Sequence, residues 1–340
     1  MGDKMDLEDK INRVKEILAD RKVAIGFSGG ADSTLLAYLS SKVSKDTLAI
    51  TINNHLLPTD FIENTKQSAN EFGIKHQIID MDFYENDSFL SNSTRRCYDC
   101  REMMYDNIEK TALEKGFDFI CDGNNISDLV VDRPGILITY KKNFKTPFIE
   151  ANLSSKEIHR YLDENNIYYS KSTTCLATRI PTNTMITKEK IEKIRLAEDY
   201  IQNNTGCRIV KVRQLKNYAL CEVDDLGEIL NSNSYEQINS QLKKYGFEKV
   251  ALNLEAIDDD EYISIEYENG SFSYQLPYTI NISETKKQFK NRIVNISKDK
   301  IELDNISISE NGLIQVNNLK TYEIAVNRFM EILPKIRRNI

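Results

Sequence analysis

The sequence predicts an α/β protein: a doubly wound parallel sheet, followed by a second, smaller α+β domain and a small β-rich C-terminal appendage. Three features carry that reading. Apolar strands alternate with amphipathic helices through the first half, the pattern of a parallel sheet covered on both faces. From Cys207 the order changes to a strand pair, a helix and a further strand. The last 80 residues consist mostly of short strands of alternating polarity.

Leu7, Ile11, Val14, Ile17 and Leu18 lie at helical spacing and predict a lead-in helix over 7–20. Val23, Ala24 and Ile25 form a short strand that runs into Gly29-Gly30 and then a helix, DSTLLAYLSSKV. LAITINN (48–54) is a second strand, FIENTKQSANEFG a helix ending at Gly73, and HQIIDM (76–81) a third strand. A C-x2-C pair, Cys97 and Cys100, is expected directly before a helix over roughly 101–115. FDFICDGNN (117–125) is a fourth strand ending in a polar turn, followed by Asp128, Arg133, Pro134 and Gly135. Ser154 and Glu157 read as a cap opening a helix from about Ser155, and Thr187 caps a long helix from Lys188.

CRIVKVRQL and YALCEV are strands of a hairpin turning at Lys216-Asn217. A helix over about 226–245 and the strand EKVALNLEAI follow. The acidic run Asp258-Asp259-Asp260-Glu261 reads as a linker to the strands YISIEYENGSFSYQL, RIVNI, KIELD and GLIQV and a terminal helix ending KIRRNI. The expected divisions are 1–185, 186–257 and 258–340.

With 340 residues and a net charge of −7, the chain can bury a sizeable core and has no general nucleic-acid-binding character. No run approaches a membrane span, and MGDKMDLEDK is too charged for a signal peptide. Six unevenly spaced cysteines point to intracellular thiols or metal ligands, so a cytoplasmic location is expected.

The chemistry starts at Val23–Ser33, VAIGFSGGADS. A strand feeding a glycine turn that opens a helix is an anion site, because the first helical N–H groups have no partner and carry partial positive charge. Gly29 and Gly30 admit a close anion, Ser28 and Ser33 offer hydroxyls, and Asp32 is placed to hold Mg²⁺ against phosphate oxygens. Neither GxxxxGK[ST] nor GxGxxG fits this turn. SGGADS instead resembles the pyrophosphate loop of the N-type ATP pyrophosphatases, which split ATP into AMP and pyrophosphate to adenylate a substrate. The resemblance implies an adenine-nucleotide α-hydrolase-like domain.

Taken alone, Cys97 and Cys100 read as a zinc knuckle, a redox dithiol or part of an iron–sulfur site. The three histidines show no ligand spacing with them, and Cys121, Cys207 and Cys221 read as structural thiols. Cys175 lies in a polar loop, a candidate ligand or nucleophile.

CLATRIP (175–181) resembles the signature of the LarE family, ATP-dependent sulfur transferases of nickel-pincer nucleotide biosynthesis. The similarity runs over about residues 7–256 and includes SGGADS, RCYDC (96–100), DGNN with Asp128 and RPG (122–135), and KVR followed by CEV (211–223). It implies adenylation of a carboxylate on a pyridinium biscarboxylic acid mononucleotide and displacement of AMP by sulfur. In one version of the family the equivalent of Cys175 gives up its own sulfur. In the other, which three cysteines suit, Cys97, Cys100 and Cys175 hold a [4Fe–4S] cluster whose open iron carries an extra sulfide. Cys175 and Asp32 are then the catalytic candidates, with ATP on Ser28, Gly29, Gly30, Asp32 and Ser33. Arg179, Lys211 and Arg213 match a substrate-phosphate pocket, although Lys211 stands where the family usually has Arg and lacks its bidentate fork. Glu198, Glu222 and Asp128 match positions that orient substrate or metal.

The expected partners are a small nucleotide, a sulfide or sulfur-donor protein and further copies of the chain, with no membrane. The alternatives are a tRNA thiolase of the same superfamily, an amide-forming synthetase of the NAD or GMP type, a zinc knuckle in place of the cluster, and a nucleotide-binding regulator without turnover.

Overall fold

A computed structural model describes residues 6–131, 135–170, 174–230, 234–257, 266–268, 270–289 and 293–339. Arg133, Pro134 and the acidic run 258–261 fall outside them.

The first half alternates as α1 (Leu7–Leu18), β1 (Lys22–Gly26), α2 (Ala31–Val43), β2 (Asp46–Asn53), α3 (Phe61–Glu71) and β3 (Lys75–Asp80). A short α4 (Asp87–Leu90) then leads into α5 (Arg96–Glu114) and β4 (Phe119–Cys121). The four strands are all parallel, in the order β3-β2-β1-β4. β1 is central: Val23, Ala24 and Ile25 are wholly buried, as a strand covered on both faces must be. β3 lies at the edge, and its residues are only half-buried.

This strand order places the site. The chain runs outward from β1 to β2 and β3, then returns to lay β4 on the other side of β1. Ligands bind at such a reversal, beyond the carboxyl ends of the strands. The glycine turn after β1 and the DGNN turn after β4 are therefore neighbours, joined through the pairing of Ile25 with Cys121. One face of the sheet packs on α1 and α2 together with α7 (Pro147–Glu150) and α8 (Ser155–Glu164), through Ile11, Leu35, Leu36, Phe148 and Ile158. The other packs on α5 through Tyr105, Ile108 and Ala112, and the same core takes in Leu176 and Ala177, next to Cys175. Ser154 and Glu157 form a complete capping box on α8, and Lys10 of α1 reaches Glu157 at 2.8 Å.

After a short α6 (Ile136–Lys141), α7 and α8, the long α9 (Lys188–Asn204) is capped by the Thr187 side chain. It packs on a three-stranded sheet of β5 (Val210–Leu215), β6 (Tyr218–Val223) and β7 (Lys249–Leu252), with β5 and β6 antiparallel and β7 parallel to β6. α10 (Leu226–Leu230) and α11 (Ser234–Lys244) connect them. The C-terminal part forms a six-stranded antiparallel sheet of β8 (Glu266–Glu268), β9 (Ser271–Gln275), β10 (Ile293–Ile296), β11 (Lys300–Leu303), β12 (Ile306–Ser309) and β13 (Leu313–Val316). α12 (Ile282–Phe289) and α13 (Tyr322–Ile332) accompany it.

The structure corrects several sequence expectations. Cys97 and Cys100 lie within the first turns of α5, not before it. The buried series Tyr98, Tyr105, Ala112 continues the helix face back through the C-x2-C, with no glycine or proline to stop it. Of the helix expected over 226–245, α10 and α11 are described, and residues 231–233 between them fall outside the described residues. β4 begins only at Phe119, two residues later than expected, and ends at Cys121 before the polar DGNN turn, as expected. α12 and β12 are additional elements: Ile282, Thr285 and Phe289 supply a helical face inside what reads as a strand-rich stretch. The last helix ends at Ile332, and the residues after it form a turn and a bridge from Arg338 to Ile280.

The core of the C-terminal sheet is continuous with the segment after β4. Ile126, Leu129, Val130 and Ile136 bury themselves among Phe272, Ile280, Ile314 and Phe329. Phe329→Ala removes a wholly buried ring from that shared core. It should cost about 3–5 kcal/mol in a denaturant melt and raise amide exchange of residues 126–130 as well as of the C-terminal sheet.

Candidate active site

Gly29 takes φ +70°, a conformation an L side chain adopts only with strain, and a Cβ there would press on Thr65 at 3.2 Å. Gly30 begins α2 without any side-chain cap, which leaves the first N–H groups of the helix facing the loop. Ser33 ties the turn together: its hydroxyl accepts from the Ser28 N–H at 3.1 Å and shares a hydrogen bond with the Ser28 hydroxyl at 3.1 Å. The Gly29 carbonyl accepts from the Ser170 N–H at 2.8 Å.

Asp32 points toward the turn after β4. Its Oδ1 accepts from the Asn125 amide at 3.0 Å, and Asn125 is itself fixed by Asp128, whose Oδ2 accepts from the Asn125 N–H at 2.9 Å. Asp128 is buried, so it shapes this turn. Gly123 lies against the start of α2, where a Cβ would come within 3.0 Å of Asp32 and the Ser33 nitrogen. Beneath the turn, buried Asp122 accepts from Tyr105 at 2.9 Å, from Thr139 at 2.7 Å and from Arg101 at 3.3 Å.

The thiols come from two stretches. Cys97 and Cys100 are on α5, and Cys175 opens a 3-10 turn, Leu176–Arg179. Burial pushes the Cys100 thiol well up, and the nearby Cys175 and Cys97 push it further, against Arg96 and Arg101. Burial also raises Cys175, opposed by a hydrogen bond from the Ala177 N–H and by Arg96. Cys97 and Cys175 thus lie near enough to Cys100 to add to its shift, and Cys97 adds to that of Cys175. Cys175 also adds to the charge felt by Tyr84, whose hydroxyl is pushed up to about 12, chiefly by burial. From Ser170, anchored on Gly29, a fully extended chain reaches Cys175 in at most ~17 Å. Among the described residues, no three His, Cys, Asp or Glu side chains already close on a common metal position. Cys121, Cys207 and Cys221 are buried in cores.

Two residues to which the sequence assigns no role hold the Cys175 turn in place, and Arg96 is visible there only as the start of RCYDC. Asn92, wholly buried at φ +54°, donates to the carbonyls of Ile180, Pro181 and Thr184 at 3.2, 2.9 and 3.0 Å. Arg96 donates to the Asn92 side chain, to the Ala177 carbonyl at 3.1 Å and to the Cys97 sulfur at 3.4 Å. On the other side, buried Arg179 donates to Glu198 at 2.7 Å and to the Thr174 and Thr178 hydroxyls at 3.0 and 2.8 Å. Glu198 also accepts from the Val212 N–H at 2.8 Å. Burial raises the Glu198 carboxyl, while Arg179 and the Val212 amide oppose that. Because all of its partners are donors, the carboxylate is the form that fits.

Arg179 thus braces the Cys175 turn against α9 and β5. Arg213, more exposed, pairs with Glu222 at 2.8 Å and donates to the Thr178 carbonyl at 3.3 Å. Lys211 lies on the same strand face, opposite Glu222. Beyond β2 and β3 a cleft of about 820 Å³ opens toward α9, lined by Asn53, His55, Tyr84, Lys188 and Arg195.

The PP-loop domain family matches residues 4–132. The chain is 34% identical over 245 residues to the "Uncharacterized protein MJ0830" of Methanocaldococcus jannaschii, covering 72% of this chain and 94% of that one. It is 28% identical over 256 residues to the "Uncharacterized protein slr1717" of Synechocystis, covering 73% and 95%. The chain belongs to the PP-loop family. A shorter similarity, 39% over 62 residues and 18% of each chain, joins it to the tRNA-specific 2-thiouridylase MnmA 2 of Fusobacterium nucleatum. As a PP-loop protein the chain binds ATP, and Ser28–Ser33 is the stretch whose geometry suits phosphate. Among the described residues no helix is long and apolar enough to cross a membrane.

Gly123→Ala should leave the fold intact and weaken ATP binding at least about tenfold by calorimetry, since the new methyl displaces Asp32 and Ser33. Asn92→Ala removes a buried donor from the Ile180 and Thr184 carbonyls and leaves the Pro181 carbonyl only the Thr184 N–H. It should cost about 1–3 kcal/mol and speed maleimide labelling of Cys175 relative to wild type.

Proposed function

We propose that this PP-loop protein is an ATP-dependent sulfur transferase acting on a carboxylate of a pyridinium-type mononucleotide. The observation that carries the proposal is that Arg96 joins the Cys97 sulfur to the turn that Cys175 opens, which brings thiols from stretches far apart in sequence into one neighbourhood of a PP-loop protein.

The donor set suits iron and sulfide. It is three thiols, with no carboxylate or imidazole among the neighbours that shift Cys100, and soft thiolates select iron–sulfur clusters over hard cations. A [4Fe–4S] group held there would supply an open iron carrying the sulfide to be transferred. The chain does the rest. The N–H groups at the start of α2, with Ser28 and Ser33, hold the β- and γ-phosphates, and Asp32, oriented by Asn125, holds Mg²⁺. A substrate carboxylate oxygen attacks the α-phosphorus of ATP, the bond to the bridging oxygen breaks, and pyrophosphate leaves with the electron pair. Adenylation cancels the carboxylate charge, so a sulfur nucleophile can attack the carbonyl carbon and expel AMP, leaving a thiocarboxylate.

Lys211 and Arg213 are assigned to the substrate phosphate, with Glu222 orienting Arg213. Arg179 and Glu198 are assigned to holding the Cys175 turn. The short likeness to a tRNA thiouridylase supports a second reading, thiolation of a tRNA base by the same two steps.

Anaerobic purification and reconstitution tests the first reading. Wild type should bind iron and acid-labile sulfide with a charge-transfer absorption that Cys100→Ala abolishes, and it should release pyrophosphate only with a carboxylate acceptor. Reconstituted wild type without iron, combined with loss of hydrogen sulfide from the Cys175 peptide after one turnover, would establish self-sacrifice instead. Pyrophosphate release driven by tRNA would establish the second reading.

A further inference from the structure

A groove of about 750 Å³, within the range of small-molecule sites, runs along the seam between α5–α6 and the C-terminal part. One wall carries Tyr98, Tyr140 and Lys141; the other carries Arg337, Arg338 and Glu284. Tyr98 lies between Cys97 and Cys100 on α5, so an occupant would touch the helix that presents two of the three thiols.

The charge is local and opposite to that of the whole. In a chain of net −7, the lining has three cations against Glu284. The groups facing them from neighbouring elements are Glu102, which pairs with Lys141, Asp128, which lines the adjoining pocket with Tyr140 and Arg338, and Lys287, which pairs with Glu284 at 2.6 Å, so four cations stand against three carboxylates. Cationic charge remains in excess.

The arginines are also preorganised. The Arg337 guanidinium lies 3.9 Å from the Tyr140 ring centroid, and its Nη1 donates to the carbonyls of Pro334 and Ile336 at 2.8 and 3.0 Å. Arg338 lies over Tyr278 at 4.6 Å. The backbone beneath them is pinned: the Arg337 N–H donates to the Thr285 hydroxyl at 2.9 Å, the Arg337 carbonyl accepts from the Asn281 N–H at 2.7 Å, and the Asn339 N–H donates to the Thr279 carbonyl at 2.9 Å. Side chains already held in position lose little freedom on binding. Arg337 is partly desolvated, which lowers its pKa, and its described hydrogen bonds go to neutral carbonyls, not to a carboxylate. The Tyr140 hydroxyl, sealed at the same seam, has no described hydrogen-bond partner.

We propose that this groove is a second anion site, separate from the loop at Ser28, that binds a phosphate group. Guanidinium forks match the tetrahedral oxygens of phosphate, and the ammonium of Lys141 closes the opposite side. The phosphate could come from free inorganic phosphate or from a mononucleotide stacked against the tyrosine wall, and the two are separable. The inference is independent of the sulfur-transfer reading, since it needs no thiol and no turnover.

The test is calorimetric titration of orthophosphate, pyrophosphate and AMP into the full chain. Saturable binding is expected in wild type and in Asp32→Asn, weakened about tenfold or more by Arg337→Gln and by Lys141→Gln, and weakened less by Arg337→Lys. Lys141 is exposed, so its substitution keeps the test valid should Arg337→Gln unfold the tail in a thermal melt. AMP binding tighter than orthophosphate identifies a nucleotide ligand; equal or weaker binding identifies the inorganic ion. No saturation at millimolar ligand, or binding that Asp32→Asn abolishes and Lys141→Gln leaves unchanged, overturns the proposal.

Discussion

The arrangement depends on one buried amide. Asn92 carries no charge and touches no thiol, yet it shares its N–H groups among the carbonyls of Ile180, Pro181 and Thr184. Those carbonyls belong to an irregular stretch that supplies only part of its own pairing, the Thr184 N–H reaching the Pro181 carbonyl at 3.0 Å, and a buried carbonyl such as that of Ile180 is costly to leave unpaired. Asn92 thereby ties the end of the Cys175 turn to the segment that leads into α5. Arg96 completes the clamp by joining Asn92, the Ala177 carbonyl and the Cys97 sulfur in one contact set. A cation at that point also opposes the mutual repulsion of neighbouring thiolates, which burial would otherwise make severe.

A second constraint runs through the reversal of strand order. Because β4 lies beside β1, a polar turn is delivered to the open end of α2. Gly123 allows the approach, and Asn125 orients Asp32 once it is made. The buried network on Asp122 keeps that turn rigid, with Arg101 linking it to the helix that bears Cys97 and Cys100. Nucleotide loop and thiol helix are therefore tied through one set of hydrogen bonds.

The C-terminal part adds to this framework from outside. It buries Ile126, Leu129 and Val130, directly after the DGNN turn, within its own apolar core. The Tyr278 hydroxyl donates to the Leu129 carbonyl at 2.5 Å, so the contact is polar as well as apolar. Whatever the extension binds, its grip falls on the segment that follows the DGNN turn beside Asp32. The acidity of the chain as a whole conceals the cations gathered at this seam, and net charge gives no sign of them.

Local chemistry was enough to read much of this protein. Strand periodicity, SGGADS, the capping box at Ser154 and the turn at Lys216 each depend on near neighbours, and each took the form that the residues specify. Helix limits were less legible where no breaker stands, as at Cys97, because burial of Tyr98 rather than any capping residue extends α5. The partnership of Arg179 with Glu198 was not legible: the family resemblance offers Arg179 for a substrate phosphate and Glu198 for orienting substrate or metal, and only packing shows the two paired with each other. Asn92 left no trace in the sequence, and Arg96 stood only as the first residue of RCYDC with no role attached, since what makes them matter lies 88 and 81 residues away. The sequence by itself determined the glycine loop and the strand and helix alternation of the parallel sheet, because short-range forces decide those. Tertiary structure alone decided which distant groups meet, because a contact across the fold depends on how whole elements pack.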